Sequence, residues 1–146
     1  MIDKRLVCAK LAQLRERQQL LTQLAAEPQA QFVADRVKIS AAERALQVSI
    51  EICLDLGQHL IAALALPRPS EYRDIFRILG EHGLIDRQFA DRLQRMAAFR
   101  NRLVHAYANV DPGTVYGCLQ GDRADFDEFA RTVASLVVTR GTEGET

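Results

Sequence analysis

Between Ser40 and Leu66 the residues Leu46, Ile50, Cys53, Gly57, Leu60, Ile61 and Leu64 recur mostly at spacings of three and four. That period is the period of one helix face. Ser40-Ala41-Ala42-Glu43 has the form of a capping box at its start, and Pro67 and Pro69 stop it. A helix with such a stripe has to bury it against other elements. Gly57 in mid-helix costs up to about 1 kcal/mol relative to alanine, so a close helix–helix approach is expected there.

The remaining patterns are also helical. Asp3 can cap a first helix running to about Ala26, with Val7, Leu11, Leu14, Gln18, Leu21 and Ala25 as a narrow seam interrupted by one polar residue. Lys4, Arg15, Glu16 and Gln19 form its other face. Pro28 ends or kinks this helix, and residues 28–39 read as a connection. Ser70 can cap a short helix holding Tyr72, Ile75, Phe76 and Leu79, with Gly80 to Gly83 as a turn. Asp86 can cap a longer one carrying Phe89, Leu93, Met96, Ala97, Leu103 and Val104 and ending at Asp111-Pro112, where a short segment with Val115, Tyr116 and Leu119 begins. Asp122 or Asp125 starts the last helix, with Phe126, Phe129, Val133 and Val137. No stretch alternates as a strand does. The expectation is one all-α domain over residues 1–140, an up-and-down bundle of about four main helices plus short ones, with residues 141–146 frayed. The heptad-like seam, and apolar positions on more than one face of the helices after Ser40 and Asp86, favour a homodimer.

Composition narrows the function. Lysine plus arginine equals aspartate plus glutamate, 19 each, which argues against a general nucleic-acid coat. A local cluster remains in Arg92, Arg95, Arg100 and Arg102. Cys8, Cys53 and Cys118 are far apart, in apolar surroundings and without metal-ligand spacing, which suits buried free thiols in a reducing compartment. No apolar run approaches the ~20 residues of a membrane span. With no signal-peptide pattern in residues 1–15 either, a cytoplasmic protein is expected.

The chemistry-bearing residues gather in Phe99-Arg100-Asn101-Arg102-Leu103-Val104-His105-Ala106-Tyr107. Asn101 and His105 lie one helical turn apart on one face, and Arg100 and Tyr107 almost in line beside it. Histidine moves protons near neutrality. Arginine offers a fork of donors that fits phosphate and stabilises added negative charge. Asparagine can orient either. These are the parts of metal-independent RNA cleavage, in which a 2′-hydroxyl attacks the neighbouring phosphorus. A two-fold dimer would place two copies face to face and so supply an acid and a base. The same residues also suit a solvated arginine and a capping histidine at a helix C-terminus, where cations are favoured.

The longer pattern, "MAAFRNRLVHAYANVDP", resembles the HEPN superfamily, and within it the HepT-like toxins of MNT–HEPN toxin–antitoxin systems. Their mark is Arg-x4-His-x-Tyr, here Arg100, His105 and Tyr107, with Asn101 as the usual polar residue after the arginine. "ERALQVSIEICLDLGQHLIA", "PSEYRDIFRILGEHGLIDRQFADRLQRMAAFRN" and "VDPGTVYGCLQ" extend the likeness over nearly the whole chain. The resemblance implies a dimeric all-α ribonuclease with its cleft at the dimer interface, Arg100 and His105 catalytic, Asn101 their helper, and no cofactor. It also implies an MNT-type nucleotidyltransferase antitoxin that transfers AMP to Tyr107. The nucleotide chemistry would be the partner's, since this chain has no Gly-rich phosphate loop.

Other residues read as structural. His59 and His82 fit packing and turn positions. Glu43, Glu51 and Asp55 fit a solvated or salt-bridged helix face better than a metal site. Tyr72 and Tyr116 fit packing. Arg92, Arg95 and Arg102 are candidates to contact RNA or an acidic antitoxin surface. The competing functional reading is a non-catalytic binding module beside a nucleotidyltransferase, in which the Arg/His motif would be expected to decay.

Overall fold

The structure, a computed structural model, describes residues 1–105 and 110–144, with side chains described to residue 140. Seven helices account for its regular structure: α1 (Lys4–Ala25), α2 (Gln29–Val33), α3 (Arg36–Ala63), α4 (Tyr72–Glu81), α5 (Arg87–Val104), α6 (Pro112–Gly121) and α7 (Arg123–Gly144). Among the described residues there is no strand. Four long helices and three short ones are the bundle that the periodicity predicts. Among the described residues no helix is long and apolar enough to cross a membrane. The last helix runs to Gly144, past residue 140, where fraying is expected to begin.

The centre is α3. All six other helices pack against it, and Ile50, Ile52, Cys53, Leu54, Leu56 and Leu60 are all buried. Its apolar residues on more than one face, read from sequence as favouring a dimer, are therefore covered within the single chain. α1 lays Val7, Leu14 and Leu21 on this core. The polar interruption of its seam is satisfied, because Gln18 Nε2 donates to the buried Ser49 hydroxyl at 3.2 Å. At the C-terminal end of α1, two side chains of α6 take up exposed carbonyls: the Tyr116 hydroxyl donates to Glu27 O at 2.7 Å and Gln120 Nε2 to Ala25 O at 2.8 Å.

Gly57 sits where α3 crosses α4. A Cβ built there would lie 2.5 Å from Ile75 Cγ2, so the absent side chain is what lets the helices approach. Gly80 does the same for the α4–α5 crossing, with Ala90 Cβ 2.8 Å from its virtual Cβ. It belongs to α4 and not to a turn as expected; the reversal begins at His82.

Two helix starts differ from the sequence reading. α3 starts five residues early, capped by Asp35, whose Oδ1 accepts from Val37 N at 3.0 Å and Lys38 N at 3.2 Å. Burial of Ile39 and a 2.9 Å Lys38–Glu27 ion pair hold this extra turn, so the capping box at Ser40 goes unused inside the helix. Residues 28–39 are consequently not a plain connection, since they contain α2 and the start of α3. α4 is entered through Glu71 rather than Ser70, with the Asp74 carboxylate accepting from Glu71 N at 3.1 Å.

α3 and α4 end with the same pair of hydrogen bonds. After α4, Leu84 N reaches Leu79 O and Gly83 N reaches Gly80 O, and the left-handed residue is Gly83 at φ 75°. After α3, Leu66 N reaches Ile61 O and Ala65 N reaches Ala62 O, but the left-handed residue is Ala65 at φ 53°. An L-residue in that region is strained by about 1 kcal/mol. Ala65→Gly should therefore raise unfolding stability by about 1 kcal/mol, read as a higher urea midpoint at unchanged slope.

The cysteines correct the expectation that all three thiols are buried. Cys53 is fully buried and burial pushes its thiol well up; Cys118 is half-buried and pushed up to about 12, mainly by burial. Cys8 is exposed on the outer face of α1.

Candidate active site at the end of helix α5

The buried stripe of α5 is Phe89, Ala90, Leu93, Met96, Ala97 and Leu103. It pins the helix against α3 and α4 and so fixes the direction of Arg100. The guanidinium of Arg100 turns back to α3. Its Nε and Nη2 both donate to Glu51 Oε1, at 3.1 and 3.0 Å. Gln47, one turn earlier on α3, donates to the same oxygen at 3.2 Å. The Tyr72 ring at the start of α4 lies 5.2 Å from Arg100 Cζ in a cation–π contact. Nη1 donates to Asn101 Oδ1 at 3.4 Å.

Arg100 is thus held from three helices, with only 21% of its side chain exposed and 34% of its partner's. A guanidinium has five N–H groups. Among the described residues these contacts leave one N–H on each Nη for an incoming anion.

α5 does not continue to Asp111-Pro112 as the sequence pattern predicts. Leu103 is its last buried residue. His105 is the C-cap, leaving the helix at φ −87°, ψ 68°, while its backbone N still donates to Asn101 O at 3.1 Å. Asp111-Pro112 instead opens α6, with Asp111 Oδ2 accepting from Thr114 N at 3.1 Å. Asn101 and His105 are both exposed and one turn apart. Tyr107 lies outside the described residues.

The other arginines differ from one another. Arg92 is committed to α7, with Nε 3.1 Å from Asp125 Oδ1 and Nη2 3.5 Å from Glu128 Oε2. Arg95 is exposed and electrostatically favours ionised Asp122, whose carboxyl is nonetheless raised, chiefly by burial. Arg102 is exposed in the last turn and lies over the Phe99 ring at 5.6 Å, at the helix end that favours a cation.

Glu51 and Tyr72 are the two residues that sequence reasoning left out of the site. Glu51 carried a usable signal: it stands between Ile50 and Ile52 in a nearly continuous apolar run, where a carboxylate requires a partner. Tyr72 carried none. Asp55 pairs with Lys10 at 3.0 Å. His59 Nε2 accepts from Asp3 N at 2.9 Å, a structural role. Among the described residues no three His, Cys, Asp or Glu side chains are grouped as metal ligands would be.

Beside this cluster lies a cleft of about 480 Å³ between the end of α3, the start of α4 and α5. Tyr72 and Asn101, which both touch Arg100, also line it.

Comparison with known proteins places the chain in a family. The family model described as Ribonuclease HepT-like matches residues 11–133. The mRNA nuclease HepT of Shewanella oneidensis is 32% identical over 84 residues, which is 58% of this chain but only 63% of that relative's length. The tRNA nuclease HepT of Aphanizomenon flos-aquae is 24% identical over 103 residues, 70% of each chain. Among solved structures, a tri-AMPylated HEPN toxin of Shewanella oneidensis in complex with an MNT antitoxin superimposes with a TM-score of 0.84 at 25% identity, covering 91% of this chain and 99% of that one. YutE of Bacillus subtilis, at 22% identity and a TM-score of 0.82 over 95% of this chain and 93% of its own, shares the fold.

Proposed function

This chain belongs to the Ribonuclease HepT-like family, and on that premise we propose that it is the toxin of a toxin–antitoxin pair, a metal-independent endoribonuclease acting through Arg100 and His105. The observation that carries this reading is the way Glu51, Tyr72 and Asn101 hold the Arg100 guanidinium, five residues before His105 in the same run.

In this reading the 2′-hydroxyl of one nucleotide attacks the adjacent phosphorus and the P–O5′ bond breaks. The products are a 2′,3′-cyclic phosphate and a free 5′-hydroxyl. His105 takes the proton from the 2′-oxygen or returns one to the leaving 5′-oxygen. A second copy across a two-fold axis supplies the other role, so the active species is a dimer. Arg100 directs its remaining N–H groups at the phosphate oxygens as charge builds on them. Because Glu51 and Tyr72 fix the guanidinium beforehand, little reorganisation is needed at the moment of reaction. Asn101 positions Arg100 through its side-chain oxygen and lies on the face from which substrate approaches.

The proposed partner is an MNT-type nucleotidyltransferase, as in the complex of the Shewanella oneidensis HEPN toxin. It would silence this chain at Tyr107. The tyrosine oxygen attacks the α-phosphorus of ATP, pyrophosphate leaves and the phenolic proton is lost. Each AMP adds bulk and negative charge two residues from His105, opposing entry of RNA phosphate. Tyr107→Phe should keep most cleavage and gain no AMP from the partner, as read by intact mass. AMP still added to this variant would move the target elsewhere.

The reading as a whole is tested by growth after induced expression, with and without the nucleotidyltransferase. Arrest by the wild type, relieved by the partner and by His105→Ala, is expected. Normal growth with abundant folded dimer would transfer support to a non-catalytic binding module.

A further inference from the structure

We propose, building on the ribonuclease reading, that the cleft beside Asn101 is a subsite for one unpaired RNA base next to the phosphate that is cut. The cleft shares Tyr72 and Asn101 with the Arg100 cluster, whereas neither Arg100 nor Glu51 lines it. It is therefore adjacent to the phosphate-directed arginine without being the same site.

Its lining describes the ligand. Ala97 and Ala98 give a small apolar floor from α5. Tyr72 supplies an aromatic ring that is 51% exposed although Arg100 rests on it. An exposed aromatic held in place this way is a stacking platform that accepts any base, because every base has a π-face. Gln58 and Asn101 bring side-chain amides and Ser70 a hydroxyl, which can both donate and accept. Such groups read the Watson–Crick edge of a splayed-out base.

The charges of the lining offset one another. The cation of the lining, Arg73, is paired through Nε with Glu71 Oε2 at 2.9 Å, and Glu71 lines the same cleft. A flat, uncharged ligand with polar edges matches this balance of charge. A volume of about 480 Å³ lies in the usual range of small-molecule sites, ample for one base with solvent.

The test is equilibrium binding of four fluorescent single-stranded hexanucleotides, each of a single base, to the intact protein. A His105→Ala background keeps the RNA whole, and cleavage of mixed RNA by the wild type is measured in parallel. The four should bind with unequal affinity. Tyr72→Ala should weaken all four by about tenfold or more, as lost stacking does. Gln58→Ala, at a residue with no hydrogen bond to Arg100 or Glu51, should change the ranking among the four. Arg100→Ala should weaken all four equally and leave the ranking alone, which separates base reading from general support of the phosphate site.

If the wild type cleaves RNA but neither Tyr72→Ala nor Gln58→Ala changes affinity or ranking, the subsite is overturned and the ribonuclease reading stands. Unchanged binding with loss of the dimer in Tyr72→Ala would show that a second copy covers the cleft, and also overturns it. No cleavage of any RNA by the wild type overturns both.

Discussion

Replacing His105 by alanine should leave the fold intact and lower RNA cleavage by about 10²-fold or more, the usual loss when a general acid or base is removed. The side chain is exposed at the end of α5. The hydrogen bond that ends the helix there uses its backbone N–H, which alanine retains. Circular dichroism should report a folded helical protein while the cleavage rate collapses. A folded His105→Ala protein that cleaves at the wild-type rate would remove the residue from the mechanism.

The largest structural effect is expected at Gly57. A single Cβ there would already stand 2.5 Å from Ile75 Cγ2, and 3.5 Å from Leu79 Cδ1. Ile75 and Leu79 are themselves fully buried, so neither can swing into solvent. Gly57→Leu should force α4 away from α3 and cost about 3 kcal/mol or more, a large part of a typical domain's ~5–15 kcal/mol. Because α4 carries Tyr72 and α3 carries Glu51, the same displacement should loosen Arg100 and reduce cleavage beyond what unfolding removes. Chemical denaturation gives the stability, and activity per folded molecule gives the rest. A Gly57→Leu protein as stable as the wild type would contradict the close approach of these helices.

Much of the fold was legible because its signals are local. Asp3 caps α1 through its side chain, Asp86 stands at the start of α5 without a side-chain cap hydrogen bond, and Asp111-Pro112 opens α6. The cost of Gly57 correctly pointed to a tight crossing. What failed was competition between signals. Asp35 and Ser40 both have cap chemistry, and which one caps depends on whether Ile39 is buried, a tertiary fact. The end of α5 was misplaced because periodicity does not reveal that core contact ceases at Leu103.

The site shows the same division. Arg100, Asn101 and His105 share one short run and could be read as a unit. Their supports come from distant positions, 49 residues away in the case of Glu51, and only folding brings them together. Glu51 was visible as a carboxylate in an apolar run, yet its partner was not. Tyr72 had no motif around it, and its contact with Arg100 follows from how α4 crosses α3 and α5. Arg92, grouped with the other arginines by sequence, is instead taken up by Asp125 and Glu128.

The most direct measurement of the central claim is the chemistry of the RNA ends left by the purified protein, with and without a metal chelator. Attack by the 2′-hydroxyl predicts 2′,3′-cyclic phosphate and 5′-hydroxyl ends, unaffected by the chelator and absent with Arg100→Ala or His105→Ala. Cleavage that stops with the chelator, or that leaves 5′-phosphate ends, would contradict an active site built from Arg100 and His105.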